Sequence, residues 1–136
     1  MANEAILVQK LEANDLFTVT VADGTGLEKG TLMVWGSDPN TCVASSADGE
    51  LFAGILAEEK VASDGQTQVA LHTKGVWALK ITAGGTSVLG ETVKIAGANQ
   101  VTVADDDTVA HVREVVGISL ETGGNAEVVQ VRLGYS

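Results

Sequence analysis

A chain of 136 residues with 45% apolar side chains can bury a core as one domain, without disulfides or a structural metal. Its 18 Asp and Glu against 8 Lys and Arg give a formal net charge of -10, which repels a phosphate backbone and argues against direct nucleic-acid binding. The single Cys42 excludes an intramolecular disulfide and a cysteine-based zinc cluster, and its simplest role is a buried core thiol.

Aromatic residues are only 4% of the chain, Gly reaches 16 residues and Pro 1. The interior must then be filled by Val, Leu, Ile and Ala, a composition that favours strands joined by many turns. The start of the chain lacks the basic and apolar regions of a signal peptide, and no apolar run is long enough to cross a bilayer. The expectation is a product made in the cytoplasm with no membrane partner.

In chain order, AILVQKL within residues 1–14 reads as an N-terminal arm or an edge strand, with Ile6 and Val8 on one side and Leu7 on the other. Residues 15–136 read as a single β domain. In DLFTVTVADG, Phe17, Val19 and Val21 alternate with Thr18 and Thr20, the period of a half-buried strand. KGTLMVWG is a compact apolar run ended by Gly36 and the Asp38-Pro39-Asn40 turn. ELFAGILAEEKV carries Gly54 inside its apolar run, which favours a bulged strand over a short helix.

TQVALHTKGVWALKI is one long strand kinked at Gly75, or two strands meeting there. TAGGTSVLG is a turn-rich connection whose glycines weaken a helix. Val93, Ile95, Val101 and Val103 mark two short strands joined through Gly97 and Asn99, and EVVQVRL closes the chain as the second arm of a hairpin. GTLMVWG, AGILAEE and TQVALH are echoed in order by GETVKIAG, VGISLET and EVVQVRL after roughly sixty residues. TLMVWG can be laid on TVKIAG with the terminal glycines matched, and Gly54-Ile55 on Gly117-Ile118. The fold class is therefore mainly β: a compact closed barrel-like or sandwich-like domain of many short strands, with little helix.

No catalytic constellation stands out. His72 and His111 each sit alone on an expected strand, no serine occupies a G-x-S-x-G elbow, and Cys42 lacks an activating neighbour in sequence. The Asp105-Asp106-Asp107 triplet offers hard oxygen ligands, but outside any EF-hand spacing it reads as a solvated turn. DGTGLEKG lacks the ending of a phosphate loop, so no nucleotide site is assigned. The expectation is a protein that is not an enzyme and takes no metal and no cofactor. Trp35 and Trp77 are either core residues or interface anchors, since tryptophan covers much apolar area. Ile6, Leu7 and Val8 have the comparable option of adding as a strand to another subunit's sheet.

The ordered series Gly30 to Trp35, Ala53 to Leu56, Val69 to Trp77, Gly90 to Ile95, Val116 to Leu120 and Val129 to Leu133 resembles the small capsid decoration proteins of tailed viruses, the divergent β-domain family encoded near major capsid genes. The resemblance covers nearly the whole chain after about residue 15. It implies a structural protein of the bacteriophage virion that binds the outer surface of an expanded capsid lattice. Such a protein sits as a homotrimer at local threefold positions, clamps adjacent major capsid protein subunits and stabilises the head. The segment GSDPNTCVASSADG makes this chain longer than the plainest members of that family between Leu32 and Leu51. The alternative reading is a fibre, spike or tail-associated β module that binds a host glycan.

Overall fold

The computed structural model describes residues 3–9, 16–104 and 114–133. Among them it holds no α-helix, and no helix is long and apolar enough to cross a membrane. Histidine 111 and the aspartates at 105–107 lie outside the described residues.

The strands build the same five-stranded unit twice. The first unit takes β2 (Leu16–Thr20), β3 (Leu32–Trp35), β4 (Cys42–Ala44), β5 (Phe52–Leu56) and β6 (Gln68–His72), in the spatial order β2-β6-β5-β3-β4. Its open sides meet where Thr20 forms a parallel bridge with Thr41 and its N–H donates to the Asn40 carbonyl at 2.8 Å. The second takes β7 (Gly75–Ile81), β9 (Thr92–Gly97), β10 (Gln100–Val103), β11 (Val115–Ser119) and β13 (Val128–Leu133). Its order β7-β13-β11-β9-β10 repeats the first, and parallel pairing of Gln100 with Lys80 and Val101 with Ile81 closes it as a barrel. Closure leaves each unit with few free strand edges.

The repetition holds residue by residue. Met33 faces Gly54 and Val93 faces Gly117, each beside a bulge in the partner strand that leaves Ala53 and Val116 as the extra residues. Phe17 pairs with Leu71 as Trp77 pairs with Val131. The Leu27–Lys60 bridge matches the pairing of Ser87 with Gly123, which joins β8 (Thr86–Ser87) to β12 (Gly123–Gly124). Glycine recurs where the backbone demands it: a Cβ on Gly54 would lie 2.9 Å from the His72 carbonyl oxygen, and one on Gly117 2.1 Å from that of Arg132.

Alternation places the core. Val19, Val21, Met33, Cys42, Leu56, Val69 and Leu71 fill the first unit. Leu32 and Val34, of opposite parity to Met33, pack with Ile55 against the cluster of the second unit, which includes Leu79, Ile81, Val93, Ile95 and Val131. The run TQVALHTKGVWALKI is two strands that part at Gly75, where φ is 109°, with β6 in the first unit and β7 in the second. TAGGTSVLG holds two turns with β8 between them.

Asn99 fastens the two units. Its backbone is left-handed at φ 56°, its side-chain oxygen accepts the Leu32 N–H at 2.8 Å, and its own N–H donates to Ser45 Oγ at 3.0 Å. Lys94 adds an ion pair to Asp48 at 3.0 Å. A thirteenth strand, β1 (Ile6–Gln9), lies antiparallel on β7, with Ile6 opposite Ala78 and Leu7 opposite Trp77.

Candidate interaction surface

The two units differ most at the end where β2 and β7 begin. In the second unit Val76, Trp77 and Ile95 are buried. Register makes Leu16, Phe17 and Trp35 their counterparts. Leu16 is 48% and Trp35 40% exposed, where Val76 is 5% and Ile95 0%. Phe17 and Trp35 stack as tilted rings 6.1 Å apart, and the Trp35 N–H donates to the Leu51 carbonyl at 2.9 Å, which brings exposed Leu51 alongside. Water gains nothing from such a cluster, so covering it is favourable. Val43, exposed on the neighbouring strand, pairs with Val34 and so lies on the opposite face from Trp35.

The tryptophans therefore part company. Trp77 is a core residue whose indole N–H donates to the Lys74 carbonyl at 3.0 Å, while Trp35 stands at the open end of the first unit. Ile6 and Leu7 are exposed on β1, and Val8 lies in that strand with a side chain outside those described. Beside β1 runs a groove of about 570 Å³ whose walls include Glu4, Leu7, Lys29, His72 and Trp77. The His72 ring packs 5.2 Å from that of Trp77.

Cys42 is buried inside the first unit, and burial pushes its thiol up to about 11, far from a reactive thiolate at neutral pH. Among the described residues no group of three or more His, Cys, Asp or Glu is arranged to hold a metal.

The most unusual polar group is Lys60, fully buried at the opposite end of the first unit. Its ammonium donates to Asp23 Oδ1 and the Asp23 carbonyl, each at 3.0 Å, to the Val61 carbonyl at 2.7 Å and to Asp64 Oδ1 at 2.8 Å. Burial alone would lower its pKa, but the hydrogen bonds and charges of Asp64 and Asp23 outweigh that and raise it. The hydrogen bond from Lys60, followed by the Gln66 N–H, holds Asp64 below its ordinary value. The sequence reading did not single out Lys60. Its only sequence signal was the pair of aspartates, 23 and 64, in the turns of DGTG and SDGQ.

No family model matches this chain, and no curated protein matches it. Among solved structures, the chain is similar to the crystal structure of the head fiber gp8.5 N base of bacteriophage phi29. The likeness covers 88% of this chain and 92% of that one at a TM-score of 0.53, with 15% sequence identity. At that identity it is the fold that is shared.

Proposed function

We propose that this protein is a structural component of a phage head, carried on the outside of the shell. The observation that carries the reading is the fold shared over nearly the full length of both chains with a protein described as the base of a head fibre. The ordered strand motifs from Gly30 to Leu133 independently resemble head decoration proteins. An exposed apolar end around Trp35, on an otherwise strongly acidic chain, is a surface suited to attachment rather than to turnover.

In the finer form of the proposal, the partner is the major capsid protein and the attached form is a homotrimer at local threefold positions. Several weak contacts made together then clamp adjacent subunits, and binding only the expanded lattice stabilises that lattice. The fibre reading gains from the same comparison, because the neighbour is a fibre base. On that version the protein is the attachment foot of a longer appendage, and the glycan-binding role falls to other parts.

Cosedimentation with expanded, undecorated shells, with unexpanded shells as control, tests the proposal. Saturable binding to expanded shells alone is the expected result. Folded protein that stays in the supernatant with both would overturn it.

A further inference from the structure

The outer edge of β2 is the place where the repeat is incomplete. Thr20 sends its N–H outward to Asn40, and the Thr18 carbonyl accepts the Asn40 side-chain N–H at 3.4 Å, so the even-numbered residues of β2 present their backbone groups to that edge. The odd-numbered residues face β6, as the Val21 N–H to the Thr67 carbonyl at 2.8 Å shows. The Thr18 N–H and both backbone groups of Leu16 then point outward with no backbone partner among the described residues.

On β7 the matching stretch Val76–Ala78 is covered. There β1 lies antiparallel, with Leu7 opposite Trp77 and Gln9 opposite Val76. Just beyond it, β10 pairs with Lys80 and Ile81, as Asn40 and Thr41 meet Thr20 in the first unit. Among the described residues, every neighbour of β7 therefore has its counterpart on β2 except the added strand.

We infer that the β2 edge at Leu16–Thr18 is a strand-addition site for an extended, apolar segment of a different polypeptide, lying as β1 lies on β7. Strand counting excludes another copy's β1 as the occupant. Each copy of the chain carries one β1 and already uses it on β7, so exchange of β1 among any number of identical copies fills β7 edges one for one and leaves every β2 edge open. The guest runs antiparallel to β2. It places an apolar residue opposite Phe17, because cross-strand partners share a face and that face carries Trp35 and Phe17. Main-chain hydrogen bonds supply affinity, and the Phe17–Trp35 surface supplies the side-chain preference. The inference goes beyond attachment to a shell and stands or falls apart from it.

The test uses the intact protein and a capped peptide with the sequence of residues 4–9, EAILVQ, as a stand-in guest. Amide signals are followed by two-dimensional NMR as the peptide is raised to millimolar concentration. The expected result is saturable shifts at Leu16 and Thr18, with slowed amide exchange at Thr18. Thr18→Pro removes an outward N–H while sparing the β6 ladder, and should weaken binding about tenfold or more. Leu16→Lys, an edge charge, should act in the same direction should the proline variant fail to fold. No shift at Leu16–Thr18, shifts confined to residues 76–78, equal binding by a folded variant, or concentration-dependent shifts at Leu16–Thr18 without peptide, the mark of β2 pairing with β2 of a second copy, would each overturn the inference.

Discussion

The two five-stranded units share strand order and bulge positions, yet they have been completed in opposite ways. The first is sealed at one end by the buried Lys60 and is open at the other around Leu16 and Trp35. The second has Gly123 where the first has Lys60, and buries Val76, Trp77 and Ile95 where the first is open. Backbone topology fixes where a side chain points but not what it meets. The same position is core in one unit and surface in the other.

Paired substitutions at matching positions put that comparison at risk. The largest contrast is expected between the tryptophans. Trp77→Ala empties a core site and should cost about 3–5 kcal/mol in denaturant unfolding, whereas Trp35→Ala should cost about 1 kcal/mol or less. Equal losses would mean that Trp35 is as deeply committed to the fold as Trp77.

Next come the paired glycines. Gly117→Ala drives a methyl into the Arg132 carbonyl and should cost about 3 kcal/mol, and Gly54→Ala, with its looser 2.9 Å contacts, about 1–2 kcal/mol. A reversed order would show that β5 is held more rigidly than β11.

The left-handed asparagines follow. Asn99→Ala leaves the buried Leu32 N–H without its acceptor and should cost about 2 kcal/mol, measured as a shift in denaturation midpoint. Asn40→Ala removes an exposed bond to the Thr18 carbonyl and, with the left-handed strain common to both sites, should cost about 1 kcal/mol.

The smallest effect is confined to the first unit. Asp64 has its folded pKa below the ordinary 3.8, so its contribution is present above that value and is lost as pH falls through the folded pKa. Lys60, raised above 10.5, stays charged throughout that acid range and loses its contribution only as pH rises through its folded pKa. Asp64→Asn should therefore flatten the acid limb of stability against pH. An unchanged acid limb would remove Asp64 as its source.

Much of this architecture could be read from side-chain alternation. Phe17, Val19 and Val21, then Trp77, Leu79 and Ile81, announce their strands because one face of each must be buried. Gly54-Ile55 falls on Gly117-Ile118 in space as it does in sequence.

The overlay of TLMVWG on TVKIAG, by contrast, is one residue out: pairing makes Leu32, not Thr31, the counterpart of Thr92. Matching the terminal glycines misled because the turn after Trp35 is a residue longer than the one after Ile95, as their partners Cys42 and Val101 show. A one-residue slip reverses every face, and with it the meaning of Trp35. The open end was illegible for a related reason. LMVW reads as uniformly apolar, and only the three-dimensional register reveals which of its members lacks a cover.

The Asn99 clasp ties two similar units into one chain, and this frees them from symmetry. Two identical subunits related by a twofold axis must either both display a sticky end or both hide it. Here one covalent molecule has a finished half and an unfinished half, so it has a direction. Its exposed apolar pole has no equivalent on the other half, so a contact made there is not repeated at the far end of the same molecule.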